Sequence, residues 1–379
     1  MKHINYIGYY DCEKNKEENR NYILSATNKM DYICLALNAL GYTVKILSVS
    51  ETKNKKNYKG KCLQLDEKKF LKLFPTIARK SKLHVVCQKL LINICLIFYI
   101  MKKIKKDESI IIYHSLGYYK IISVLKKLKK FRLILEVEEI YSDVTEDKKV
   151  KAKELNFFKL ADAYIFPTEL LDEYINVDNK PSVIVYGTYK IEKDRTFKFH
   201  EKDKKIHLVY AGTFDPRKGG VSNAISIGAY LNDNYCIHII GFGSRTEIEN
   251  VKYLIEKNNK IGGASITMDG LLNGESYIRF IQGCDIGLCT QNPKSSFNDT
   301  SFPSKVLSYL SNGLRVVSIK IRVLEKSKIS DLLYFYHENN PKEIAEVIKT
   351  INFDDNYDGR ETISNLHKDF VEKLEKLLK

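Results

Sequence analysis

Two stretches of this chain pair residue types with spacings that could hold a phosphorylated ligand. One is Thr300-Ser-Phe-Pro-Ser-Lys-Val-Leu-Ser-Tyr-Leu-Ser-Asn-Gly-Leu-Arg-Val-Val-Ser318, which reads as a loop, a helix opened by Pro303, a stop at Gly313 and a buried strand. Ser304 and Lys305 fall in the first turn of that helix. Backbone N–H groups there lack helical partners, and together with the positive end of the helix dipole they favour an anion. About ninety residues upstream, Ile206-His-Leu-Val-Tyr-Ala211 reads as a strand running into Gly212-Thr-Phe-Asp-Pro-Arg-Lys-Gly-Gly220. Singly, the glycine loop is an ordinary strand-to-helix turn and the Pro-Ser start an ordinary helix opening. Together, two such loops at the carboxyl ends of strands in one α/β domain suggest a nucleotide diphosphate.

A second group of chemically able residues lies in the first half. His114 directly follows the apolar strand Ile110–Tyr113, at the carboxyl end where open α/β sheets place their ligands. Glu136, Glu138 and Glu139 follow the next strand, and alternation sends Glu136 and Glu138 to one face and Glu139 to the other. One of Glu138 and Glu139 is expected to meet an acceptor, the alternative being three solvated carboxylates. Taken alone, a His at a strand end more often has a structural role.

The elements that must position these residues alternate along the chain. Strands are expected at 4–10, 43–48, 109–113, 132–137, 163–166 and 183–186, with helices at about 27–40 and 115–130. Lys190 to Lys205 is charged and without clear periodicity, which places a domain linker there. Strand–helix alternation then resumes, and amphipathic helices follow at about 341–351 and 361–378. This pattern predicts an α/β fold with two parallel sheets, each covered by helices on both faces. The expected domains are 1–190, 191–360 and a C-terminal helical segment, 361–379, that packs back toward the first.

At 379 residues the chain can build two cores, and its hydrophobic fraction of 44% is ordinary for a globular protein. Its eight Cys show no Cys-x-x-Cys pair and no Cys/His spacing of the metal-binding kind. Cys87, Cys95, Cys284 and Cys289 sit in apolar runs and read as reduced core residues. Met1-Lys-His-Ile leads straight into a strand, not into the apolar core of a signal peptide, so the expected compartment is the cytoplasm. The net charge of +15 is uneven, since residues 51–106 hold sixteen Lys and Arg against three Asp and Glu. Within them Leu90–Met101 is apolar and is followed by Lys102-Lys-Ile-Lys-Lys106. Twelve residues are too few to span a bilayer. The run is therefore either a buried helix with solvated ends or a surface that rests on anionic lipid. No recognition motif or aromatic-interleaved basic stripe accompanies the charge, which argues against nucleic acid.

The order of these motifs resembles the retaining GT-B glycosyltransferases of family 4. That family carries a strand, then Gly-Arg-Leu-x-x-x-Lys-Gly, then a Gly-x-Gly strand end, then a Glu-x7-Glu segment ending in a Gly-x-Pro-Val-Val strand. Here Gly212, Lys218 and Gly219 fall on the first motif and Gly241-Phe-Gly243 on the second. Phe302-Pro303-Ser304-Lys305, Tyr309, Gly313 and Val316-Val317 fall on the third. The resemblance covers roughly residues 205–320 and reaches the N-terminal half only in outline. It implies two Rossmann-like domains with parallel sheets facing a central cleft. It also implies sugar transfer from a UDP- or GDP-sugar to an acceptor hydroxyl, with retention of configuration and without metal or further cofactor. The leaving phosphate itself would take the acceptor proton. The implied donor-site residues are Gly212, Thr213, Arg217, Lys218, Gly243, Ser304, Lys305 and Ser308. His114 would face the donor sugar, and Glu138 joins it as the second catalytic candidate.

The sequence departs from the family at three places. Thr213 stands where the diphosphate-binding Arg would be, with Arg217 nearby as a substitute, and Thr300 and Ser308 stand where the two Glu would be. A Ser hydroxyl can still hold a ribose, more weakly than a carboxylate does. The acceptor expected from the basic apolar segment is a lipid-linked saccharide at the inner face of the cell membrane, in capsular or exopolysaccharide assembly. The alternatives are a non-hydrolysing sugar-nucleotide epimerase and a catalytically inactive homologue that binds a nucleotide sugar or a protein partner.

Overall fold

A computed structural model describes residues 2–141, 148–193, 197–292, 298 and 300–379, with the side chains of Lys148 and Lys218 outside the description. Contacts divide the chain into two units, Met1–Thr188 with Asp369–Lys379, and Tyr189–Lys368. The division thus falls two residues before the expected 190/191 boundary. The last helix, Gly359–Leu378, starts in the second unit and its end belongs to the first. There Phe370 stacks on Tyr32 at 5.6 Å, and Arg132 Nη2 donates to Leu377 O at 2.6 Å.

In the first unit the strands are β1 (Lys2–Gly8), β2 (Tyr42–Ser48), β3 (Lys61–Gln64), β4 (Lys69–Leu73), β5 (Ser109–Tyr113), β6 (Arg132–Glu136), β7 (Ala163–Phe166) and β8 (Ser182–Ile184). They form one sheet in the order β3-β4-β2-β1-β5-β6-β7-β8, parallel except for the antiparallel β3–β4 pair. Near-continuous runs such as Ile110–Ile112 and Leu133–Leu135 are fully buried, as strands covered on both faces must be. The order reverses between β1 and β5, which opens a crevice at their carboxyl ends.

Two features of this unit correct the sequence reading. The β3–β4 hairpin was not expected, because its Lys-rich strands hide their alternation. Charge suits the edge position, where it discourages pairing with another chain. The apolar run at 90–101 is the second half of a 22-residue helix, Lys82–Lys103. By length and composition that helix could cross a membrane, but Ile92, Leu96 and Ile100 pack into the core beside Ile7 and Ile110. Its opposite side leaves Leu83, Val86, Leu90, Ile94, Phe98 and Met101 exposed. It is therefore not the buried helix that was one of two readings. Cys87, expected in the core, lies exposed on it and Cys95 is half-buried, whereas Cys284 and Cys289 are buried as expected.

The second unit holds β9 (Ile206–Thr213), β10 (Tyr235–Phe242), β11 (Ser265–Gly270), β12 (Ile286–Cys289), β13 (Arg315–Ile319) and β14 (Leu333–Tyr336). All pairs are parallel, in the order β11-β10-β9-β12-β13-β14. This is the doubly wound dinucleotide-binding order, with its switch point between β9 and β12. The expected class, α/β with two Rossmann-like units, is the fold observed.

Candidate functional site

In the second unit the sequence pairs that read as phosphate loops meet at the switch point. Lys305, in the first turn of the Ser304–Ser311 helix, places Nζ 4.0 Å from the centroid of the Tyr210 ring. A Cβ on Gly212 would stand 2.5 Å from that Nζ, so only glycine lets the ammonium lie against the end of β9. The neighbouring strand is as closely fitted. A Cβ on Gly241 would lie 1.8 Å from Gly212 O. The turn after β9 is braced from the other side of the switch point, where Thr290 Oγ1 donates to Gly220 O at 2.7 Å and Asn223 Nδ2 to Thr290 O at 3.0 Å.

Beside this point lies a cavity of about 230 Å³ lined by Ala211, Gly212, Gly241, Phe242, Leu272 and Tyr277, among others. Its floor is backbone at the ends of β9 and β10, and its wall is apolar and aromatic, as small-ligand sites are. Tyr277 Oη lies 3.1 Å from Ser308 Oγ. Ser308 is half-buried, and its hydroxyl is thus held by a residue of the cavity wall. On the next residue, Tyr309 Oη accepts from the Ala211 N–H at 2.9 Å, which ties the Ser304–Ser311 helix to β9.

Thr213 ends β9, and its Oγ1 accepts from the Asp215 N–H at 3.3 Å. Arg217 points outward and is bound to Asp215, with Nη2–Oδ2 at 2.6 Å. Lys218 closes the short turn Pro216–Lys218, and its side chain lies outside the described residues. Gly243 precedes the capping box of the Arg245–Ile261 helix, in which Ser244 Oγ accepts from the Glu247 N–H. Ser304 is exposed at the helix start. Tyr277 was missed by the sequence reading, since no local pattern relates it to Ser308.

The first unit has its own cavity, about 480 Å³, at the β1–β5 switch point. Tyr9 follows β1, and His114, Ser115 and Leu116 follow β5. Glu139 and Tyr141, which follow β6, complete it together with Asn21, Tyr22 and Ile23. Hydroxyl, amide and carboxyl groups between apolar walls suit a polyhydroxylated ligand. His114 is only 1% exposed. Its Nε2 lies 2.6 Å from Glu154 Oε1, which also accepts from the Tyr141 N–H at 3.0 Å. A carboxylate only accepts, so Nε2 carries the hydrogen and Nδ1 is left as an acceptor. Among the described residues that Nδ1 has no partner. Burial pushes the imidazole pKa down in spite of Glu154, so the ring is held neutral. Glu154, fully buried, was not singled out by sequence.

The three Glu divide as alternation requires. Glu136 and Glu138 share one side, where Tyr6 Oη donates to Glu136 and Lys29 Nζ lies 3.2 Å from Glu138 Oε1. Lys29 also donates to Val185 O at 2.6 Å. Glu139 lines the cavity, and burial, then the charges of Glu138 and Glu154, raise its carboxyl pKa. Glu138 is thus engaged by Lys29, while Glu139 is the carboxyl beside His114 in the cavity wall.

No protein-family model and no curated protein matches the chain. Its fold is nevertheless found among solved structures. One is an E. coli structure described as trehalose-6-phosphate bound with UDP-2-fluoro glucose, at 11% identity and TM-score 0.66, over 98% of this chain and 96% of that one. A second is a UDP-forming α,α-trehalose-phosphate synthase from Burkholderia xenovorans in complex with glucose-6-phosphate, at 9% identity and TM-score 0.64, covering 98% and 97%. A third is the sucrose-phosphate synthase of Thermosynechococcus elongatus, at 12% identity and TM-score 0.62, covering 100% and 95%. These similarities establish the fold, that of the GT-B glycosyltransferases, over nearly the whole chain.

Proposed function

We propose that this chain is a retaining glycosyltransferase, of the family 4 kind, that moves a sugar from a nucleotide-diphosphate donor to an acceptor hydroxyl. The observation that carries the reading is the ammonium of Lys305 set against Gly212 at the switch point, beside a cavity of about 230 Å³. In this reading the cavity takes the base and ribose of a UDP- or GDP-sugar, with Ser308 and Tyr277 at the ribose. Lys305 and the start of its helix take the diphosphate. Breaking the glycosidic bond gathers negative charge on that leaving group, and a preorganised cation stabilises it as it forms. Lys218 is assigned as a second cation on its motif alone. The acceptor half falls to the first unit, where His114, Glu139 and Tyr141 line the cavity. The neutral His114 ring offers Nδ1 as a hydrogen-bond acceptor, while Glu138 acts through its ion pair with Lys29.

The acceptor we assign is a lipid-linked saccharide, used in surface-polysaccharide assembly by an enzyme resting on the inner face of the membrane. The support is the exposed apolar face of the Lys82–Lys103 helix with exposed Lys102, Lys103, Lys105 and Lys106 beside it. A second reading, a soluble sugar-phosphate acceptor, is favoured by the fold shared with the synthase that was solved with glucose-6-phosphate. Calorimetric titration with a panel of UDP- and GDP-sugars tests the donor site, and no binding by any of them would end the proposal. Binding without turnover on either acceptor class would leave an inactive nucleotide-sugar binder. Turnover on glucose-6-phosphate but not on a lipid-linked acceptor would select the second reading.

A further inference from the structure

At the opposite end of β9 and β10 from the cavity of the second unit, three metal-ligating side chains converge. Cys236 pairs with His207 across β10 and β9, and His238 lies two residues further along β10, so all three side chains share one sheet face. Their ligating atoms lie within 4.8 Å of one another, and all three residues are buried. The rings of Phe199 and Phe280 cover the cluster, with Phe280 5.1 Å and Phe199 5.4 Å from the His238 ring.

The hydrogen bonds around the two imidazoles leave their inner nitrogens facing one another. His207 Nε2 faces Asp203 Oδ1 at 3.0 Å, and His238 Nδ1 faces Asp269 Oδ2 at 3.2 Å. Thr267 Oγ1, 3.0 Å from the same His238 nitrogen, donates to that carboxylate at 2.8 Å. The carboxylates only accept, so both outer ring nitrogens carry hydrogens. The inner pair, His207 Nδ1 and His238 Nε2, then meets at 2.9 Å with a lone pair on each. Either an extra proton or a cation must lie between them. We propose that His207 Nδ1, His238 Nε2 and Cys236 Sγ bind a borderline-soft transition-metal ion of the zinc class, with the fourth position open to water.

Ligand type and outer contacts both fit. Imidazole and thiolate are the ligands zinc takes, at roughly 2.0–2.1 Å to nitrogen and 2.3 Å to sulfur. Tetrahedral angles at those lengths put the two nitrogens roughly 3.3 Å apart, a small opening from their present contact. Asp203 and Asp269 complete the carboxylate–histidine–metal arrangement that orients such ligands. β11 is an edge strand, and its exposed Ser265 and Thr267 leave the ion a way in. Bound there, the ion would clamp the amino ends of β9 and β10 and act on stability, apart from the donor site.

The test uses the full chain, stripped with a chelator and titrated with Co²⁺. One equivalent should bind, with a thiolate-to-cobalt charge-transfer band and the visible bands of four-coordinate cobalt, and Zn²⁺ should displace it. The band should vanish in Cys236→Ser and persist in Cys62→Ser, a change at an exposed cysteine. Asp269→Asn should weaken binding by about 10–100-fold. Zn²⁺ should raise the melting temperature of the wild type and not that of His238→Gln. Absence of a stoichiometric charge-transfer band in the wild type overturns the proposal, whatever the variants do. So does a band that survives Cys236→Ser.

Discussion

Lys305 and Gly212 occupy complementary places: the ammonium lies where a methyl group on the glycine would be, 2.5 Å from that position. A methyl there meets chiefly the flexible end of Lys305, with Tyr210 Oη next at 3.3 Å, so Gly212→Ala should fold and push the cation aside. Lys305→Ala removes the cation outright. Each should weaken binding of UDP or GDP by about 1.5–3 kcal/mol, the scale of a charge-assisted hydrogen bond. The double variant should lose less than the sum, because both act on one charge. Calorimetry with circular dichroism as the folding control checks this, and unchanged affinity in folded Lys305→Ala removes Lys305 from the site.

Gly241 makes the opposite case. A Cβ there would lie 1.8 Å from the backbone oxygen of Gly212, which cannot move without parting β9 from β10. Gly241→Ala should therefore cost stability and not merely affinity, by at least about 2 kcal/mol, the range of backbone clashes in packed sheets. A thermal melt reads it, and a wild-type melting temperature would show that the strands can shift to accept the methyl.

Tyr277 and Ser308 give a finer test of the ribose assignment. Their hydroxyls bond each other, so removing either leaves its partner free to seek water or ligand. Ser308→Ala should weaken nucleotide binding by about 1 kcal/mol, while affinity for the free diphosphate stays unchanged. Equal losses for nucleotide and for diphosphate would mean that Ser308 only supports its helix.

How far the sequence could be read follows from where each signal is stored. Gly212, Lys305 and Ser308 are punctuated by local features, a strand running into glycines and a helix opened by proline, so they could be found without coordinates. Glu136, Glu138 and Glu139 divided between two faces because strand periodicity is local too. Glu154, Tyr277 and Asn21 reach their places through tertiary packing across dozens of residues, which no spacing records. The pairing of His207 with Cys236 depends on the register of β9 against β10. Only Cys236-x-His238 on a strand hints at it, and Cys/His spacing rules written for loops pass over such a pair. The β3–β4 hairpin was hidden by its lysines for the same reason that it is safe at an edge.

Glu136 should make the stability of the first unit depend on pH. It is fully buried, and burial followed by the charge of Glu138 raises its pKa to about 8 from the usual 4.5. The folded state therefore holds a proton that the unfolded chain releases from about pH 4.5 upward. Stability is complete below that pH and falls as pH rises to about 8, since the native state binds more protons throughout this window. Glu136→Gln keeps a hydrogen-bonding group for Tyr6 and removes the titration. The variant should show a flatter melting temperature between pH 5 and pH 8 than the wild type (roughly this window from the pKa separation), measured at constant ionic strength. Parallel pH profiles for the two proteins would show that Glu136 stays ionised in the fold.

Membrane attachment, on the reading proposed here, rests on the exposed side of the Lys82–Lys103 helix. Leu83, Val86, Leu90, Ile94, Phe98 and Met101 recur at the spacing of one helical face, and all are at least 42% exposed. The lysines at 102, 103, 105 and 106 follow immediately and are exposed as well. Apolar burial in the interface and attraction to anionic headgroups should then add, each basic residue near the surface contributing about 1 kcal/mol. Vesicles containing anionic lipid should bind the protein, and binding should weaken as salt rises, because screening acts over about 8–10 Å at physiological ionic strength. Changing the four lysines to Gln should reduce anionic-vesicle binding and its salt dependence together. Changing Leu90, Ile94 and Phe98 to Ser should reduce binding at every salt concentration, since that loss is not electrostatic. Both variants should keep wild-type affinity for UDP- or GDP-sugar, as the helix belongs to the first unit and the nucleotide cavity to the second. Equal binding to neutral and anionic vesicles would leave the lysines without a role, and no binding to either would move the soluble sugar-phosphate acceptor ahead.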